Sequence, residues 1–132
     1  MLIGGYAVIY YGYKRTTGDM DLWLKPSNAN KLKLLVVLEK LKFSKADIKH
    51  IETLNFEETI AFHFWKDPER VDCLTKISGV SFEEAKKKMN FIELDSLKLP
   101  VIHYNHLVLS KITSKRAKDK ADIEELQKVN RK

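Results

Sequence analysis

Three stretches of the chain alternate polar and apolar residues with period two. In Asp19-Met20-Asp21-Leu22-Trp23-Leu24, Met20, Leu22 and Leu24 share one face, and Asp19, Asp21 and Trp23 share the other. Residues 59–65 align Ile60, Phe62 and Phe64, and residues 70–75 set Val71 and Cys73 against Arg70, Asp72 and Leu74. These segments read as strands, with a turn at Lys66-Asp67-Pro68-Glu69 between the last two. Residues 91–94 and 97–101 read as a hairpin about Asp95-Ser96. Helical spacing appears in 28–42, where Leu34, Leu35, Leu38 and Leu41 form one stripe behind an N-cap at Ser27. Ser81-Phe82-Glu83-Glu84 is a capping box opening a short helix to Met89, and 105–113 and 117–129 read as two closing helices. At the start, Leu2-Ile3 is the tail of a strand interrupted by Gly4-Gly5, and 6–13 is a helix ending at Gly12. The predicted order is β-α-β-α-β-β-α-β-β-α-α. That is an α/β (α+β) arrangement, a small mixed β-sheet flanked by helices in one domain.

Composition agrees with a folded domain: 132 residues, 44% hydrophobic and 32% charged, exclude a disordered or fibrous chain. The single cysteine, Cys73, excludes an intrachain disulfide framework and fits a reducing compartment. No apolar run nears the roughly 20 residues that span a bilayer, and Met1–Gly5 lacks a basic signal-peptide segment. The expectation is a cytoplasmic protein with no membrane partner. The net charge of +6 favours polyanionic partners, and the excess is concentrated at the end. From Ser110 to Lys132 there are eight basic and four acidic residues.

Asp19 and Asp21 leave the same strand face roughly 7 Å apart. Carboxylates so placed repel unless a cation sits between them. Hard divalent ions take oxygen ligands, commonly one or two carboxylates plus substrate phosphate. If the 70–75 strand lies alongside, Asp72 joins them. Two ions held roughly 3.5–4 Å apart would then clamp the attacking and leaving oxygens of a phosphoryl transfer. Asp-x-Asp alone is weak, being a common pattern on exposed strands. Gly4-Gly5 sharpens it, because glycines at a strand-to-helix turn let backbone N–H groups approach a phosphate. The connection Lys14-Arg15-Thr16-Thr17-Gly18 then places basic groups nearby, Arg15 having the guanidinium fork that suits phosphate.

With these motifs, Leu2-Ile3-Gly4-Gly5 through Asp19-Met20-Asp21-Leu22, the sequence resembles the DNA polymerase beta-like nucleotidyltransferase superfamily. Arg70-Val71-Asp72-Cys73-Leu74 looks like the strand carrying that superfamily's third carboxylate. Lys111, Arg116-Ala117-Lys118-Asp119-Lys120-Ala121-Asp122 and Leu126 resemble the closing helices of its small bacterial members, some of them similar to abortive-infection toxins of toxin–antitoxin pairs.

The resemblance implies a nucleotidyltransferase fold and transfer of a nucleoside monophosphate from a nucleoside triphosphate to an acceptor. The acceptor is a protein hydroxyl, an RNA end or a small molecule. Asp19, Asp21 and Asp72 are the implied catalytic and metal-binding residues, with two Mg²⁺ ions or Mn²⁺ in their place. Gly4, Gly5, Arg15 and Lys111 are the implied nucleotide-binding residues. Family members usually carry a helix before the first strand and often Gly-Ser where this chain has Gly4-Gly5. Either the start codon lies upstream or the chain is shortened, and a shortened chain is expected to favour a homodimer. The rival reading is a catalytically weak binding module that holds RNA or an acidic partner through the basic closing helices, its affinity falling steeply with salt. Hydrolysis, with water as acceptor, ranks lowest because no histidine is evident near the acids. Lys115 shares a helix face with Lys111, while the tyrosines of 6–13 and Trp23 read mainly as packing. His63 reads as structural, and His103 and His106 as surface or capping residues.

Overall fold

The computed structural model describes residues 1–66, 68–114 and 116–130. The elements follow in the order β1 (Leu2–Ile3), α1 (Gly4–Tyr10), β2 (Met20–Trp23), α2 (Asn28–Lys40), α3 (Lys45–Glu52), β3 (Ala61–Phe64) and β4 (Val71–Leu74). Then come α4 (Phe82–Lys88), β5 (Asn90–Leu94), β6 (Leu97–Val101), α5 (Tyr104–Thr113) and α6 (Ala117–Asn130). The strands make one mixed six-stranded sheet in the order β3-β4-β2-β1-β6-β5, with helices packed against it. The fold class expected from the sequence is therefore found.

The caps act as their chemistry dictates. Ser27, Ser44 and Ser81 each accept a hydrogen bond from the backbone N–H three residues on, opening α2, α3 and α4. The Ser81 hydroxyl also donates to Glu84 Oε1 at 3.0 Å, so the Ser81 and Glu84 side chains are joined directly at the head of α4. Asp95 turns the β5–β6 hairpin with φ +53°.

Three details differ from the pattern reading. The helix α3 was not expected, because its only apolar pair, Ile48 and Ile51, is too short a stripe to stand out. Leu41 lies beyond the end of α2 and is exposed, so it leaves the stripe on which Leu38 is buried. The first helix begins at Gly4 rather than Tyr6 and ends at Tyr10. Asp67 of the expected β3–β4 turn, Lys115, Arg131 and Lys132 lie outside the described residues.

Two clusters fill the interior. The larger one gathers Leu2, Ile3, Ala7, Val8, Trp23, Val101, Leu107 and Leu126, tying β1, β2 and β6 to α1, α5 and α6. Trp23 is buried, packs edge-to-face on Phe82, and donates its indole N–H to the Thr75 carbonyl at 3.1 Å. The smaller cluster packs Leu38, Ile51 and Phe56 with Phe62 and Phe64. Since Phe62 and Phe64 alternate with His63, α2 and α3 cover the sheet face opposite His63.

Thr75 locks the end of β4 to the segment before β3. Its buried hydroxyl donates to the Glu58 carbonyl at 2.7 Å and accepts from the Ile60 N–H at 2.9 Å. Thr75→Val keeps the shape but leaves both backbone groups unpaired. It is expected to lower unfolding free energy by about 2 kcal/mol in urea titration.

Candidate active site

The acids meet because of strand order. β2 and β4 are parallel neighbours with Asp21 opposite Asp72. Residues in register on adjacent strands share a face, with backbones about 4.8 Å apart. β1 flanks β2 on the other side with Ile3 opposite Asp21, so the turn into α1 arrives beside the Asp21 carboxylate. Gly4 adopts φ +67°, and a Cβ there would come within 2.9 Å of Asp21 Cβ and Cγ. Only glycine satisfies both the backbone and the space. Gly4→Ala should displace Asp21 and strain the turn, costing about 1–2 kcal/mol from the backbone alone. Denaturant titration checks this, with a midpoint below that of the wild type expected.

Asp21 and Asp72 form part of the wall of a cleft of about 750 Å³. Gly4, His63 and Arg70 line it on the sheet side, and Ser110 and Lys111 from α5 stand across it. Burial raises the Asp21 carboxyl above the usual carboxylate range, and the negative charges of Asp72 and Asp19 push it further. Lys118 and Arg116 oppose this more weakly. The Arg70 Nε sits 3.0 Å from Asp72 Oδ1, a partly exposed pair on the same strand face. Cys73 faces away; burial and then Asp72 push its thiol up to about 12, so it stays protonated and is no nucleophile at neutral pH.

Crowded carboxylates beside a glycine turn fit a divalent cation. The donors are hard oxygens, and a bound ion would remove the repulsion that raises Asp21. Among the described residues, no three His, Cys, Asp or Glu side chains form a complete metal cage. Mg²⁺ does not require one, since it usually keeps waters and takes substrate phosphate.

The remaining sequence candidates are distributed differently. Asp19 precedes β2 and acts on Asp21 through its charge, without lining the cleft. Gly5 is buried under the 14–18 connection, where a Cβ would lie 2.5 Å from Thr17 Oγ1 and 2.8 Å from Arg15 Nη2. Arg15 was expected on phosphate, yet its Nε lies 3.2 Å from Asp122 Oδ1 and the pair is nearly enclosed. Lys111 lines the cleft, but its Nζ is held by Asp119 Oδ1 at 2.9 Å and Asp122 Oδ2 at 2.8 Å. Both cations are thus committed to carboxylates of α6 in this structure. Burial alone would raise Asp119, but hydrogen bonds from Ser114, Lys111 and Arg116 outweigh it and hold the carboxyl at about 2.

His63, which the sequence reads as structural, stands opposite Asp72 across β3 and β4 and lines the cleft, so a histidine does lie beside the acids, contrary to expectation. Its polar character amid Phe62 and Phe64 was the available signal. No family model matches the chain, and no curated protein matches it.

Proposed function

We propose that the chain is a metal-dependent nucleotidyltransferase resembling the DNA polymerase beta-like superfamily. It would move a nucleoside monophosphate from a nucleoside triphosphate to an acceptor hydroxyl. The observation that carries this reading is the register of Asp21 with Asp72, closed on one side by the glycine turn at Gly4.

Asp21 and Asp72 would hold Mg²⁺, with Asp19 adding charge from the head of the strand. The ion, when bound, supplies neutralisation of charge on the triphosphate oxygens. The Gly4 turn would let the triphosphate approach the backbone, with Ser110 and Lys111 of α5 across the cleft from it. Arg70 is one of the cations lining the cleft: displaced from Asp72, its guanidinium would pair with phosphate oxygens. These are contributions of positioning and electrostatics, the usual substance of phosphoryl-transfer catalysis.

Calorimetric titration of the four nucleoside triphosphates, with and without Mg²⁺, tests the proposal. The expected result is metal-dependent binding by the wild type that vanishes in Asp19→Ala/Asp21→Ala. A folded wild type that binds none of the four defeats it.

A further inference from the structure

The row of side chains across the sheet has a direction. From β1 to β3 it runs Gly4 at the helix turn, Asp21, Asp72 and His63. On the nucleotidyltransferase reading, on which this inference rests, triphosphate belongs at the Gly4 end, where the backbone is bare. Displacement at phosphorus is roughly in line, so the attacking oxygen comes from the side opposite the leaving pyrophosphate. That side is β3. The two residues that β3 presents on this face are Ala61 and His63, and only His63 can hydrogen-bond. His63 is exposed, lines the cleft, and belongs to neither hydrophobic cluster.

We propose that His63 is a catalytic residue that binds the attacking oxygen. Its imidazole accepts a hydrogen bond from the hydroxyl of the acceptor, or from water, and aims an oxygen lone pair at the α-phosphorus. The new bond joins that oxygen to the α-phosphorus. The bond from the α-phosphorus to the bridging oxygen breaks, pyrophosphate leaves with the electron pair, and the hydroxyl proton passes to bulk water. The imidazole thereby sets which oxygens are taken as acceptors, and Asp21 with Gly4 sets the donor.

The test uses water and glycerol as probe acceptors. The donor is whichever triphosphate binds the wild type most tightly in calorimetry. Formation of nucleoside monophosphate and of its glycerol ester is followed with pyrophosphate release, in the wild type, His63→Ala and His63→Gln. His63→Ala should keep the metal-dependent nucleotide affinity within about twofold yet slow product formation about 100-fold, the cost of a misplaced reacting group. His63→Gln, whose amide oxygen can accept the same hydrogen bond, should recover about tenfold of that loss. The inference is overturned by an unchanged rate in His63→Ala, by no recovery in His63→Gln, or by nucleotide affinity falling alongside the rate. It is also overturned if the wild type binds nucleotide but transfers to neither probe, which leaves the nucleotide site standing. Absence of nucleotide binding in the wild type defeats the broader reading instead.

Discussion

Asp21→Asn is expected to remove metal-dependent nucleotide binding and to reduce monophosphate transfer by about 10³-fold, while the fold becomes no less stable at neutral pH. The two halves of this result have one cause. Asp21 is partly buried, faces Asp72 in register and feels the charge of Asp19, so its ionised form is disfavoured in the folded chain. Its folded pKa lies above the unfolded one, so the folded state holds more proton between the two values. Stability therefore falls as pH rises through that interval, and the penalty is fully present above it. An amide of the same shape carries no such penalty and offers no second anionic oxygen to a cation. Thermal melts from pH 4 to pH 8 should show the wild type losing more stability than Asp21→Asn as pH rises. Calorimetry with Mg²⁺ should show only the wild type binding. If Asp21→Asn lowered stability at neutral pH along with binding, the carboxylate would be supporting the fold and Asp21 would be misassigned.

The strands and caps were legible because each depends on local rules. Period-two alternation set Asp21 and Trp23 on one face and Phe62 and Phe64 together, and the serines at 27 and 81 marked their helices. Trp23 shows where alternation stops being informative. It shares the face of Asp21, but Phe82 and Thr75 enclose it, so one end of that face is core and the other is cleft. The row Gly4, Asp21, Asp72 and His63 needed strand order, which pairs β2 with β4 across an intervening stretch of two helices and a strand. Local pattern offers no register for such partners. The fate of Arg15 was further from reach: Asp122 lies over a hundred residues along the chain, and only the docking of α6 brings them together. A basic residue near a glycine turn looks identical in sequence whether it awaits phosphate or already holds a carboxylate.

The largest stability effect belongs to that docking. Lys111→Met is expected to cost about 3–5 kcal/mol, measured by denaturant titration at pH 7, because it strips the central cation from a buried network. Lys111, Asp119 and Asp122 are all buried, and Lys111 Nζ bridges the two carboxylates. Arg15 continues to face Asp122, and Arg116 and Ser114 continue to face Asp119, but Arg116 is largely solvent-exposed and its contribution is screened. Methionine fills the volume of the lysine stem, so the loss reports charge left unpaired rather than a cavity. Asp119 is then left with only the exposed Arg116 as a cation, so adding Asp119→Asn to Lys111→Met should restore part of the stability, whereas a purely steric defect would show no such rescue. The acid limb gives an independent check. Asp119 is held at about 2 against an ordinary value near 4, so its stabilising share is complete above about pH 4 and is lost as pH falls toward 2. Lys111→Met removes one of the hydrogen bonds that hold Asp119 down, so its stability should fall less steeply than the wild type's over that interval. Since Lys111 and Asp119 also wall the cleft, undocking α6 would open the site, and nucleotide affinity should decline in step with the loss of the network.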